Sequence, residues 1–214
     1  MKYIINVSSG FSFDTFIVFL IVIILYKGDS FMNHIQESGK TMNTRMIVEA
    51  AMAIAISYIL HYIVLFQMPQ GGAIKAANLV PLLIFSYRWG GKAGILASVT
   101  YGLITFILGF KFSLHIMSIV LDYLVAYGIV GVAGFFKDNT RGLVMGSILA
   151  CFLKWCASVV SGAVIFASYA PAGENPWMYS MVYNASYMLP DALINIIVLL
   201  IVYNSIKKGL RRVS

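Results

Sequence analysis

Five apolar runs, each 20 residues or longer, divide this chain: 46–66, 91–110, 113–136, 142–168 and 178–206. A helix that crosses a bilayer needs roughly 20 mainly apolar residues, so runs of this length predict membrane spans. Composition agrees. Of 214 residues, 60% are apolar and 11% charged, against about 45–50% and roughly 25% in soluble domains. A water-soluble fold of this size cannot hide that much apolar surface, which excludes soluble enzymes, disordered chains and fibrous proteins. A shorter run, 76–87, contains Pro81 and is bounded by Arg88, Trp89, Gly90 and Gly91. With the loop before it, this run makes a short or tilted sixth helix. The expected fold class is all-α: an integral membrane protein with six transmembrane helices.

Charge sets the orientation. Lys40, Arg45, Arg88, Lys92, Lys137, Arg141, Lys207, Lys208, Arg211 and Arg212 fall on one side of the spans. Lys75 and Lys111 fall on the other, beside a loop at 170–177 whose one charge is Glu174. Cytoplasmic loops carry the Lys/Arg excess, so both ends of the six-helix unit are expected in the cytoplasm. The net charge of +7 is therefore a topology signal, not a sign of nucleic-acid binding.

Residues 1–43 stand apart from the unit at 44–214. Phe16–Tyr26 is strongly apolar, yet Lys2 is a weak basic start and the small-residue cleavage site that a signal peptide requires does not follow. The segment reads either as an extra N-terminal membrane helix or as a mis-called start, with translation beginning at Met32 or Met42.

The chain lacks the Gly-rich, Lys-Ser/Thr pattern of a phosphate-binding loop; Gly90-Gly91-Lys92-Ala93-Gly94 has neither its spacing nor its hydroxyl. His34, His61 and His115 are far apart, and Cys151 and Cys156 point about 140° away from each other on a helix. No catalytic residue, metal site or cofactor is expected, and the chain does not read as an enzyme.

Ionisable groups inside apolar helices carry the functional signal, because lipid makes them costly. Asp122 lies within Ile119–Val125 and Lys154 within Cys151–Cys156. One reading is an Asp122–Lys154 ion pair that only ties two helices together, with Asp191 as a third member. The other is a polar cavity. Lys154, Ser158, Gly162 and Phe166 follow at i+4 and share one helix face. Tyr179, Tyr183 and Tyr187 repeat the spacing, with Asn184 and Asn195 on an adjacent face. A carboxylate beside aromatic faces suits a flat, cationic or nitrogen-rich ring. Ala51 and Ala55, also i+4, form a small-residue face for internal packing or for docking another membrane protein.

Several segments occur in order: Met68-Pro69-Gln70-Gly71-Gly72, Ile84–Gly90 with Lys92-Ala93-Gly94, Leu121–Tyr127, and Ser161-Gly162-Ala163-Val164. Ser168-Tyr169-Ala170-Pro171-Ala172-Gly173 follows, then Trp177–Ser180 and Tyr183–Met188. In these the chain resembles the thiamine-specific S component of energy-coupling factor (ECF) vitamin transporters, over about residues 45–206. The resemblance implies a six-helix S-component bundle in the bacterial cell membrane, C-terminus cytoplasmic, that binds thiamine. It also implies partners: a coupling membrane subunit and two ATPase subunits. Thiamine contacts would fall on Asp122, Tyr123, Lys154, Ser158, Gly162, Phe166, Tyr179 and Asn184, and Ala51 and Ala55 would dock on the coupling subunit. The loop 66–76 would be an outer lid. Ser158 stands where histidine is common in that family, Asp122 where glutamate is frequent, and Phe166 where some members have tryptophan. Two alternatives remain beside thiamine import: an S component for a related ring compound such as a thiamine precursor, and a stand-alone ion-coupled carrier using Asp122 and Lys154 as a proton relay.

Overall fold

The computed structural model of the chain describes residues 44–109, 115–136, 139–171 and 173–206. The apolar run Phe16–Tyr26, together with Lys40, Lys111, Lys137, Ala172 and the four basic residues after 206, lies outside the described residues. Six helices carry the fold: α1 (Thr44–His61), α2 (Val80–Trp89), α3 (Gly91–Leu108), α4 (Ile116–Phe135), α5 (Thr140–Val164) and α6 (Pro176–Ile206). All but α2 are long and apolar enough to cross a membrane. Apolar side chains fill the core and also cover the outside. Ile59, Ile107, Val182 and Leu193 are each more than 60% exposed, while Ser57, Ser86, Ser98 and Asn195 are completely buried. That distribution suits a multi-pass membrane protein, with lipid as the solvent around the helices.

Helix α2 is ten residues long, about 15 Å at 1.5 Å per residue and half the thickness of the hydrocarbon layer. It is apolar on every side, and a helix of that kind belongs at the centre: Val80 through Arg88 are all buried. Ser86 donates to the Leu82 carbonyl at 2.6 Å, and Arg88 pairs with Glu49 of α1 at 3.2 Å. Glu49 also accepts from Arg45 at 3.0 Å and from the Trp89 indole at 2.6 Å. The start of α1 and the end of α2 therefore meet at one end of the bundle.

Two stretches depart from the sequence expectation. The first apolar run was expected to stay helical to residue 66, with a loop at 66–76. Instead α1 stops at His61, and an antiparallel hairpin follows, β1 (Val64–Gln67) with β2 (Ala73–Lys75). The pairing matches Val64 with Lys75 and Gln67 with Ala73. Hydropathy reads Ile63–Phe66 as more of the same span, but β-branched and aromatic residues favour the extended form once a partner strand can take their backbone groups.

The second is α4, expected as one ordinary helix. It begins with a single α turn, runs through a π-helical stretch at Ile119–Val125, returns to α, and ends as a 3-10 helix at Ile129–Phe135. Gly128, Gly131 and Gly134 recur every third residue. In a helix of three residues per turn they form one stripe. A Cβ on Gly131 would run into the backbone of Gly94 and Ile95 in α3, and one on Gly134 into the backbone at Ser86 and Gly90. The stripe lets α4 press directly against the α2–α3 corner.

Candidate substrate-binding site

A cavity of about 390 Å³ opens between α4, α5 and α6 and is covered by the hairpin. Asp122, Tyr123, Lys154, Ser158, Gly162, Phe166, Tyr179 and Asn184 all line it. The eight positions singled out from the sequence are thus brought together in one place. Ala51 and Ala55 are not among the lining residues; both are exposed on α1.

Asp122 sits in the π-helical stretch, where none of the seven residues is fully buried. Its Oδ2 accepts from Ser118 at 2.8 Å and from Ser161 of α5 at 2.7 Å. Two hydroxyls on one oxygen hold the carboxylate in place and leave Oδ1 for a donor in the cavity. The ion-pair reading of this residue does not hold: among the described residues Asp122 makes no salt bridge with Lys154. The Lys154 ammonium instead lies 5.4 Å from the centre of the Tyr127 ring, within the range of a cation–π contact.

Helices α5 and α6 cross closely beside the carboxylate. A Cβ at Gly162 would collide with the Ser180 hydroxyl, so glycine permits this approach. Ser180 donates to the Val159 carbonyl at 2.9 Å. The Asn184 amide donates to the Ser180 carbonyl at 2.9 Å, and its oxygen accepts from Tyr187 at 2.8 Å. Aromatic rings supply the rest of the wall. Tyr179 stacks on Tyr183 with centroids 6.1 Å apart, Phe166 stacks on Tyr169 at 5.6 Å, and Tyr123 packs edge-on against Phe106 at 5.2 Å.

The hairpin is fixed to α6 from tip to root. Gln70 and Tyr179 hydrogen-bond side chain to side chain, and the Gly72 N–H reaches the Tyr183 hydroxyl at 3.4 Å. Asp191 accepts the backbone N–H of Lys75 at 2.8 Å, and Asn195 accepts that of Leu79 at 2.9 Å. Asn195 in turn donates to the Asp191 carbonyl at 2.8 Å. Asp191, read from sequence as a third member of an ion pair, therefore serves backbone groups that the hairpin and the start of α2 leave unpaired. A buried N–H without a partner would be costly.

Asp191 lines the cavity as well, and so do Gln70 and Lys75, which did not stand out as site residues in the sequence. Lys75 was visible there as the one base between the first two spans on its side. Its ammonium sits 2.9 and 3.1 Å from the ring nitrogens of His61, which also meets the Tyr101 hydroxyl at 2.9 Å. Burial, and then the charge of Lys154, pull Lys75 from the ordinary lysine range down to about 7, with Asp191 acting the other way.

The family model described as Thiamine transporter protein (Thia_YuaJ) matches residues 47–210. The chain is 35% identical over 172 residues to the thiamine transporter ThiT of Bacillus subtilis (strain 168), covering 73% of this chain and 89% of that one. A thiamine transporter ThiT of Lacticaseibacillus paracasei is 27% identical over 173 residues, covering 72% and 84%. Among solved structures, ThiT from Listeria monocytogenes superposes with a TM-score of 0.69 at 21% identity, over 78% of this chain and 98% of that one. An S component of a bacterial ECF transporter superposes with a TM-score of 0.56 at 18% identity, over 80% and 100%. At those identities the solved structures establish a shared fold.

Proposed function

Because the chain belongs to the thiamine transporter protein family, a family of transporters and not of enzymes, we propose that it is the substrate-binding S component of an ECF-type importer. It captures thiamine from outside the cell and delivers it inward, with ATP hydrolysed by partner subunits. The transport unit is residues 44–214, with its C-terminus in the cytoplasm. A coupling membrane subunit docks on the α1 face at Ala51 and Ala55, and two ATPase subunits supply the energy that this chain has no motif to obtain.

The observation that carries the reading is the convergence of a fixed carboxylate, aromatic faces and a buried amide on one covered cavity. Asp122 takes an N–H of the aminopyrimidine through Oδ1 and offsets the thiazolium charge. Such a charge-assisted bond is about twice as strong as a neutral one. Phe166, Tyr123 and Tyr179 stack on the two rings. Ser158, in place of the histidine common in the family, gives room for water beside the pyrimidine. The hairpin is the lid, closed over its cargo by Gln70 and Tyr179.

Isothermal titration of the purified full chain with thiamine tests the reading. Saturable one-to-one binding is expected, and no binding up to millimolar thiamine would sink it.

A further inference from the structure

The outer face of the hairpin is as unusual as its inner one. All four residues of β1 are exposed, and Leu65 and Phe66 are 55% and 56% exposed without lining the cavity. Among the described residues β1 pairs on one edge alone, and a strand with exposed apolar side chains and an open edge is a liability in water. Here it continues an apolar surface. Ile59 lies just before it on α1 at 65% exposed, and Met178 and Val182 on α6 are 62% and 65% exposed. The Gln70–Tyr179 bonds tie the hairpin tip to the turn of α6 that starts at Pro176 and carries Trp177 and Met178.

Charge is nearly absent there. Lys75 is the single charged residue between 62 and 79, and it turns inward to His61. Glu174 is the single charged residue from 168 to 190.

We propose that the outer face of the lid hairpin, through Leu65 and Phe66, rests in the outer-leaflet lipid, and that opening the lid lifts these side chains out of it. The unpaired edge of β1 fixes the depth. Open backbone groups are not tolerated in the hydrocarbon core, so the strand lies at the boundary between headgroups and acyl chains, where water reaches the edge and lipid takes the side chains. Trp177 at the same level is a residue type enriched at that boundary. The cavity thus has protein on its inner side and, beyond the lid, the bilayer.

Spin-label accessibility measures this directly. Leu65→Cys in a Cys151→Ala, Cys156→Ala background, labelled and placed in lipid nanodiscs, is compared for relaxation by oxygen and by a water-soluble nickel chelate. High oxygen and low nickel access is expected. High nickel access would put the strand in water, and low access to both would put a protein or a second copy against it; either result overturns the proposal. A label introduced through Phe66→Cys repeats the reading if the first variant does not fold. The opening step is tested on thiamine release, and only this part rests on the thiamine reading. Leu65→Ser with Phe66→Ser is expected to speed release from nanodiscs by about tenfold or more, because the apolar area withdrawn from lipid on opening is removed. An unchanged release rate from a variant that still binds thiamine would overturn the coupling of opening to lipid. Absence of thiamine binding by the unaltered chain would count against the transport reading and leave the depth measurement standing.

Discussion

Gln70 and Tyr179, 109 residues apart, hydrogen-bond to each other in both directions: the amide nitrogen donates at 2.8 Å, and the hydroxyl donates back to the amide oxygen at 3.0 Å. The pair joins the tip of the lid to the wall of the cavity. Each such bond is worth about 0.5–1.5 kcal/mol net, so Gln70→Ala should weaken thiamine binding by about 1–3 kcal/mol. Most of the loss should be in the dissociation rate, since the variant leaves the Asp122 wall intact. Stopped-flow release of bound thiamine reads it. A slower association rate with unchanged dissociation would mean that the pair does not act as a latch.

Asp122 is held by Ser118 and Ser161, not by a lysine, and lines the cavity. Asp122→Asn keeps the shape and removes the charge. A weakening of thiamine binding by about 1–3 kcal/mol is expected, the range for losing a charge-assisted bond to a buried partner. Titration calorimetry on both proteins decides it, and equal affinities would remove Asp122 from the site.

Lys75 gives the lid a pH dependence with a definite sign. An open lid that exposes the lysine to water is expected to return it to its ordinary 10.5, whereas among His61, Lys154 and Asp191 it is held at about 7. Between these values the open form binds the extra proton, so closure is favoured as pH rises, by up to about tenfold per unit. Below about 7 the lysine is charged in both forms and the gain is gone. Thiamine release should therefore slow from pH 7 to 9, and Lys75→Met should flatten the profile. The same slope in Lys75→Met would assign the titration to another group.

Ala51 and Ala55 are exposed on α1 and do not line the cavity. Ala51→Trp should reduce co-purification of the coupling and ATPase subunits while leaving thiamine affinity of the isolated chain within about 0.5 kcal/mol, the usual range for surface changes away from a site. A full complement of partners on Ala51→Trp, repeated with Ala55→Trp, would place the docking face elsewhere.

The six helices and part of the cavity wall were legible in the sequence, because both follow from simple spacings. Lys154, Ser158, Gly162 and Phe166 share a helix face at i+4 whatever packs against it. The end of α1 was not legible, since Ile63–Phe66 is as apolar as the span before it and strand pairing depends on residues six to eleven positions away. The ion pair, one of the two readings of Asp122, fails for a related reason. A carboxylate and an ammonium on neighbouring helices invite pairing on charge alone, but Ser118 and Ser161 are closer, and the Tyr127 ring takes the ammonium. Gln70 and Lys75 carry no local signal, because their roles depend on where the hairpin folds back.

The two irregular halves of α4 offset each other. Its π-helical stretch turns less per residue than an α-helix, and its 3-10 stretch, at three residues per turn, turns more; each is seven residues long. The twist lost near Asp122 is thus largely restored before Phe135, and the helix leaves the bundle almost in the phase with which it entered. One segment can hold its carboxylate at the cavity while the far half of the helix packs its glycine stripe on α2 and α3. A deletion or insertion in either half should therefore be felt at the other end, as a rotation of every side chain beyond it.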